Sequence, residues 1–106
     1  MEKVKELKKQ HLGRGTTKGF VYNQIAKSKH GYIYDVYTEG LFLGYEIFER
    51  KIYKAAPPFV MEDKVAFPSN EAFGEWAWTT ESLERAKDIL KDIDDRVERR
   101  LKHEKV

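Results

Sequence analysis

The stretch from Phe67 to Thr80 constrains the fold most, because it holds both tryptophans of the chain and runs directly into its only long helical pattern. It also carries two of the six phenylalanines. A chain of 106 residues has one core, and so much aromatic surface is expected near the centre of that core. Trp76 and Trp78 lie two positions apart in a predicted strand over 76–79. We therefore expect both indoles on one face of that strand and in the core.

A long C-terminal helix is predicted after this stretch, with Thr80 at its N-cap. The apolar residues that recur at helical spacing are Leu83, Ala86, Leu90, Ile93, Val97 and Leu101. We expect Leu83 and Leu90 to be core residues that cover one face of a sheet. A helix through this whole stripe would be about 35 Å long, which exceeds what short strands can cover. Its end would pack on an N-terminal helix through Val4 and Leu7, project into solvent, or pair with a second copy as a homodimer.

Three segments with an alternating pattern predict the strands of that sheet. They cover residues 20–27, 32–38 and 41–53, and their short connections favour an antiparallel meander. Gly44 lies inside the third segment, where a glycine is typical of a bulge or a bend. With the strand over 76–79, the sequence predicts an α+β fold. Its antiparallel sheet has three to four strands and is packed on one face by the C-terminal helix.

Two segments lie outside this pattern. Residues 2–12 have apolar residues at helical spacing and predict a short N-terminal helix that ends at Gly13. With the glycine-rich linker after it, this helix forms a basic segment over 1–18, followed by a single α+β domain over 19–106. Residues 54–68 contain two successive prolines, which a central strand cannot accommodate. This second segment is either a small hairpin or a loop held by its apolar residues.

Positive charge is concentrated at the N-terminus. Residues 1–30 hold eight Lys or Arg against two Glu, whereas residues 31–90 hold six against eleven Asp or Glu. A basic segment on an acidic body can bind an anionic partner, and basic ends are also common as simple solvated ends. Both faces of the second strand carry tyrosines and only one must cover the core, so we expect the other face to be open for base stacking or partner contact. The candidate contact residues are Lys3, Lys5, Lys8, Lys9, Arg14, Lys18, Tyr32 and Tyr34.

The sequence has no recognisable catalytic or metal-binding motif. The absence of cysteine excludes disulfides, thiolate metal sites and cysteine nucleophiles. The three histidines have no metal-ligand spacing, and no serine lies in a nucleophile-elbow motif. The strand pattern allows Asp35 to approach Glu46 or Glu49 across the sheet, and a carboxylate pair can do acid–base work, but chance neighbours on the surface are expected among eighteen acidic residues. We therefore predict no catalytic residue, no metal and no cofactor.

Three motifs recur in order along the second half of the chain: GYEIFER over residues 44–50, PSNEAFGEWAW over 68–78 and LERA over 83–86. They resemble the motifs of small uncharacterised proteins of bacterial phages and mobile elements, and the resemblance covers residues 44–86 at most. It implies a compact α+β unit in which the motif residues have structural roles. The resemblance attaches no activity to the chain.

These observations favour a small non-enzymatic binding or accessory protein of a phage or mobile element that acts on a protein partner. The alternative is a nucleic-acid-binding protein that uses the basic N-terminal segment and the sheet tyrosines. No apolar run approaches about 18 residues, and the N-terminus lacks the apolar part of a secretory signal. We therefore expect no membrane contact and a cytoplasmic location.

Overall fold

The computed structural model describes residues 4–58 and 61–104 and has an α+β fold. Within these residues the chain forms eight strands, two short 3-10 turns and one helix. The strands are β1 (Val4–Lys5), β2 (Gln10–Leu12), β3 (Phe20–Lys27), β4 (Gly31–Thr38), β5 (Leu41–Glu49), β6 (Ile52–Tyr53), β7 (Asp63–Val65) and β8 (Ala77–Thr80). The 3-10 turns are Gly15–Thr17 and Asn70–Ala72, and the helix α1 is Leu83–Glu104.

The strands form two sheets. One is a five-stranded antiparallel sheet in the order β2-β3-β4-β5-β8. The other has the order β1-β7-β6, with β1 parallel and β6 antiparallel to β7. The predicted α+β class, with an antiparallel sheet and a C-terminal helix, is confirmed. The main sheet has more strands than the three to four expected, and the second sheet was not predicted.

The predicted N-terminal helix is wrong. In its place β1 pairs with β7, and β2 pairs with the edge of the main sheet at β3. A helix of about ten residues is marginal in water, so pairing with two sheets prevails over local helical preference. Val4 and Leu7 pack against the main sheet on the face opposite α1. The alternative in which the end of α1 packs on these two residues is therefore wrong as well.

The third predicted strand is shorter than expected. β5 ends at Glu49, and the residues after it turn away to form β6 in the other sheet. Between Val36 and Tyr37 the register of β4 against β5 shifts, opposite Gly44. The bulge predicted at Gly44 is thus confirmed.

Both faces of the five-stranded sheet are buried. We call one face the helix-side core, and its buried residues are Ile33, Ile47, Ala86, Ile93 and Val97. We call the other the tyrosine-side core, and its buried residues are Tyr22, Tyr32, Tyr34, Val36, Phe48, Val65, Ala72 and Ala77. The sequence predicted only the first of these two layers.

Tyr32 and Tyr34 are buried, with 1% and 0% exposure. The Tyr32 hydroxyl donates a hydrogen bond to Glu6 Oε1 at 3.0 Å, and the Tyr34 hydroxyl donates one to the carbonyl oxygen of Lys8 at 2.8 Å. The expected open tyrosine face is wrong, because the N-terminal segment and aromatic residues such as Phe67 pack over it. These two rings are not available for stacking on a partner.

The two indoles lie on opposite faces of the sheet. Trp76 packs against the tyrosine-side core, and Trp78 packs against the helix-side core. The predicted shared face is wrong because β8 begins at Ala77, one residue after Trp76. The main-chain N–H of Trp76 still donates to the carbonyl of Ala72 in the preceding turn. The alternation of strand residues therefore does not extend back to Trp76.

The helix α1 is attached to the β3–β4 turn by Asp94. Its carboxylate accepts hydrogen bonds from Ser28 Oγ and from the main-chain N–H of His30, both at 2.9 Å. Leu90 is half-buried and packs on the helix-side core. The expected core position of Leu83 is wrong: this residue is 39% exposed, because the buried contacts of α1 begin at Ala86. Among the described residues, no helix has both the length and the apolarity that crossing a membrane requires.

Candidate functional site

A cleft of about 730 Å³ opens on the tyrosine-side face of the main sheet. Its floor consists of residues on β3, β5 and β8, and its walls are two loop segments, around residues 11–17 and 67–73. We call it the Glu46 cleft. The lining residues are His11, Arg14, Thr16, Thr17, Phe20, Tyr22, Glu46, Phe67, Pro68, Ser69, Asn70, Phe73 and Thr79.

The bulge glycine extends this cleft along β5. A side pocket of about 320 Å³ shares Phe20, Glu46 and Thr79 with the cleft and continues past Gly44. Gly44 has a φ of 147°, which a residue with a side chain rarely adopts. A Cβ at this position would also lie 3.1 Å from the carbonyl oxygen of Thr80. Glycine is therefore the residue that suits both the bulge and the open space beside Glu46.

Glu46 places a carboxyl group on the floor of the cleft. Its main chain is fixed inside the sheet by pairing with Tyr34 and Thr79. Within the described residues its half-buried side chain has no hydrogen bond and no ion pair, so its oxygens remain open to the cleft. Burial raises the pKa of Glu46 to about 7. Burial and, secondarily, the charge of Glu46 raise the pKa of the Tyr22 hydroxyl, so the two groups face the same space.

His11 and Phe67 form a stacked wall of the cleft. Their ring centroids are 4.0 Å apart with an interplanar angle of 15°. Burial, followed by the positive charges of Arg14 and Lys8, lowers the pKa of His11. The imidazole is therefore neutral at neutral pH and acts as part of an aromatic surface.

The exposed cations of the N-terminal segment are not neutralised within the described structure. They are Lys5, Lys8, Lys9, Arg14 and Lys18. None of them forms an ion pair within residues 4–58 and 61–104. The acidic residue of the segment, Glu6, is paired with Lys27 and Arg50 instead. A cluster of unpaired positive charge remains for an anionic ligand.

Some of these cations lie directly beside the cleft. Lys5, Lys8 and Arg14 line a second depression of about 370 Å³. This depression shares His11, Arg14 and Phe67 with the Glu46 cleft. Lys9 and Lys18 line neither space. Both are exposed on the same segment, and Lys3 lies outside the described residues.

Opposite charges stand at the two ends of the cleft. Arg14 lies in the loop after the edge strand β2, whereas Glu46 lies on β5, three strands beyond β2. From β2 to β5 there are three strand spacings, which amount to about 14 Å across the sheet. The rings of Phe20, Tyr22 and Phe67 line the space that the two charged groups share. Such a cleft suits a ligand with a planar ring, an anionic group at one end and N–H donors at the other.

The central residue of this site was missed by sequence reasoning. Tyr32 and Tyr34, which were expected to contact a partner, line neither space. From the sequence, Glu46 is expected near Asp35 on the sheet, either in an acid–base pair or, as favoured there, as a surface charge. The signal for its position was present, because Gly44 and Phe48 share its face of the strand and Phe48 has 0% exposure. A carboxylate between two inward-facing positions is informative, because Glu is rarely buried without a partner.

An apolar surface lies at the tip of the β4–β5 hairpin and adjoins the side pocket of the cleft at Leu43. We call it the hairpin patch, and it consists of Leu41, Phe42 and Leu43, which are 67%, 43% and 42% exposed. The Phe42 ring contacts Tyr37 and Tyr45, with centroids 5.5 and 5.1 Å apart. Three adjacent exposed apolar side chains are typical of a protein contact surface.

Residues 4–58 and 61–104 contain no group of three His, Cys, Asp or Glu that could hold a metal ion. The chain matches no protein-family model, no curated protein and no solved structure in the comparisons made with them. Function is therefore inferred from the geometry and charge of this chain.

Proposed function

We propose that the chain is a non-enzymatic binding protein that holds single-stranded nucleic acid across the Glu46 cleft. The observation that supports this best is the position of unpaired cations directly beside a cleft lined with aromatic rings. Phosphates would lie along the exposed cations between Lys5 and Lys18, and a base would enter the cleft. Single-strand binders commonly combine these two features, a basic track and an aromatic platform.

The shape of the cleft favours a single strand over a duplex. A base inside a duplex is stacked and paired, so only its edges are accessible. An unpaired base can be turned out and can contact Phe20 or Phe73, which are half-buried at the cleft. The proposed contact surface differs from the one predicted from the sequence, because Phe20, Phe67 and Phe73 take the place of the buried Tyr32 and Tyr34.

The proposal is tested by fluorescence anisotropy with labelled single-stranded and double-stranded oligonucleotides over a series of salt concentrations. We expect tighter binding of the single strand and an affinity that falls steeply with salt. A variant with Lys8→Ala, Lys9→Ala and Arg14→Ala removes three cations. The structural bonds of Lys8 and Lys9 involve their main-chain carbonyls, which accept from Tyr34 Oη and from the main-chain N–H of Gln24, so the alanine variant keeps them.

If all three cations contact phosphates, the slope of log affinity against log salt falls by about 2, at roughly 0.7 per phosphate contact of a single strand. The matched control is Lys87→Ala, Lys91→Ala and Arg99→Ala, which removes the same charge from exposed positions on α1. Equal slopes for the two triple variants, or no binding at low salt, would contradict the proposal.

The hairpin patch supports a second candidate function, an accessory protein that binds a protein partner. Exposed apolar area at Leu41 and Phe42 is the specific observation in its favour. A photoreactive amino acid at position 41, with position 87 on α1 as control, tests this in cells that express the protein. A discrete adduct at position 41 alone is expected. Identical adduct patterns at both positions would count against the patch as a contact surface. An origin in a phage or mobile element remains a proposal.

A further inference from the structure

We infer that the Glu46 cleft selects a guanine base within the bound single strand, with the two carboxylate oxygens of Glu46 accepting from the two adjacent N–H donors of that base. This inference rests on the proposed nucleic-acid binding and names the base that the cleft recognises. It starts from the position of a carboxyl group without a described partner in a cleft otherwise lined by rings, hydroxyls, the amide of Asn70 and the guanidinium of Arg14.

The geometry gives Glu46 a fixed and accessible position. Its strand is paired on both sides, by Tyr34 of β4 and Thr79 of β8, so the main chain has little freedom. Its side chain borders both the cleft and the side pocket beyond Gly44. A planar base that contacts Phe20 would thus reach Glu46 with its edge, while its phosphate points towards the cations of the N-terminal segment.

The chemistry of the base edges decides between the four bases. A carboxylate only accepts hydrogen bonds, and its two oxygens can accept from two parallel donors. The Watson–Crick edge of guanine presents its ring N1–H and amino N2–H side by side. Adenine and cytosine place an acceptor nitrogen beside their amino group, and uracil and thymine flank one N–H with two carbonyl oxygens. Only guanine therefore matches both oxygens of an ionised Glu46.

Burial raises the pKa of Glu46, because no described contact stabilises its ionised form in the free protein. Two N–H donors would supply them, and binding of guanine should lower the pKa of Glu46 and release protons near neutral pH. The other titratable or charged groups that line the cleft and its side pocket are His11, Arg14, Tyr22, Tyr45 and Glu81. The contribution of these groups to proton release cancels when the wild type is compared with a variant changed only at Glu46.

The test uses three labelled heptanucleotides with adenine at six positions and guanine, inosine or adenine at the central one. Inosine keeps the shape of guanine and lacks its amino group. At about pH 8, where Glu46 is ionised, we expect the guanine strand to bind roughly tenfold more tightly than the inosine strand, the size of effect typical of a bidentate base contact. Glu46→Gln should remove this difference, because an amide has one acceptor oxygen. Glu71→Gln, an exposed neighbour of cleft residue Asn70, should retain it.

Guanine and inosine strands that bind equally to the wild type would overturn the guanine assignment and leave nucleic-acid binding intact. Failure of all three strands to bind would refute the proposed function itself. A third arm uses an arginine-rich peptide, since a guanidinium group also presents two parallel donors. Peptide binding that depends on Glu46, together with equal guanine and inosine strands, would assign the cleft to a protein partner and overturn the inference.

Discussion

Replacing Glu46 by glutamine is expected to remove most of a pH dependence of stability that the wild-type protein shows between about pH 5 and pH 8. Burial raises the pKa of this carboxyl from 4.5 to about 7 in the folded protein. Between these two pKa values, the folded protein thus keeps the Glu46 carboxyl proton that the unfolded chain has released. Stability from such a group is fully present below the unfolded pKa and is lost as pH rises through the folded pKa.

For a single group with these two pKa values, the free energy of unfolding falls by about 2.5 kcal/mol between about pH 5 and pH 8. Glutamine has a similar shape and no charge, so Glu46→Gln should lack this loss. The stability of the variant relative to the wild type should therefore be greater at the higher pH by about 2.5 kcal/mol.

Urea denaturation of both proteins at the two pH values measures this difference. His11, whose pKa is lowered mainly by burial, acts in the opposite direction, because its neutral form is favoured as pH rises. It is present in both proteins and therefore cancels in the comparison. Glu71→Gln, at an exposed position, is the control and should follow the wild type. Parallel stability curves for the wild type and Glu46→Gln would refute the assignment of a buried, uncompensated carboxyl group.

Four further outcomes are expected. Gly44→Ala should lower the free energy of unfolding by about 1–3 kcal/mol, since alanine is strained at a φ of 147°; an unchanged urea midpoint would contradict this. Asp94→Ala should lower the free energy of unfolding by about 1–3 kcal/mol and speed amide hydrogen exchange in the β3–β4 turn, which the Asp94 carboxylate binds. Arg100→Ala should lower the free energy of unfolding by about 1–3 kcal/mol, because it removes two hydrogen bonds from the buried carboxylate of Glu49. Thermal denaturation measures this loss, and a smaller loss would show that other groups stabilise the carboxylate. If the end of α1 pairs with a second copy, one of the arrangements that the sequence leaves open, sedimentation should show a mass that rises with concentration and returns to that of a monomer in Leu101→Glu, whereas a constant monomer mass would exclude this pairing.

Long elements with a clear period were predictable from the sequence. The alternating run over 20–27 became β3 with the same bounds, and the apolar stripe after Thr80 became α1. The N-cap predicted at Thr80 is wrong, because α1 begins at Leu83 and Ser82 Oγ accepts from the main-chain N–H of Arg85. For both β3 and α1, local preference and burial favour the same structure. The bulge at Gly44 was predictable for a similar reason, because glycine inside a strand pattern has few other uses.

Elements that depend on distant partners were not predictable in this way. β1 has two residues, and β2 and β7 have three each, which is too short to show a period. Their conformation is set by pairing across the chain, as between β1 and β7. The predicted face of the Trp76 side chain is wrong for a related reason, because a turn ends at Trp76 and β8 begins only at Ala77.

The candidate site was predictable only in part. The cations of the N-terminal segment were identified, because charge can be read directly from the sequence. The tyrosines of β4 were assigned to a partner surface because the second sheet that covers them was unknown. Glu46 was missed because the walls of its cleft, around His11 and Phe67, come from segments far away in the sequence.

The most direct test of nucleic-acid binding at the Glu46 cleft is a two-dimensional amide NMR titration with a single-stranded oligonucleotide that contains guanine. Binding there should shift the amide signals of cleft residues such as Phe20, Glu46 and Thr79, and those of Lys8 and Arg14 beside them. Signals from the exposed face of α1 and from Leu41 and Phe42 of the hairpin patch should stay in place, whereas Leu43 lines the side pocket beside Glu46. Shifts confined to α1 or the patch, or no shifts at all, would contradict this account of the protein.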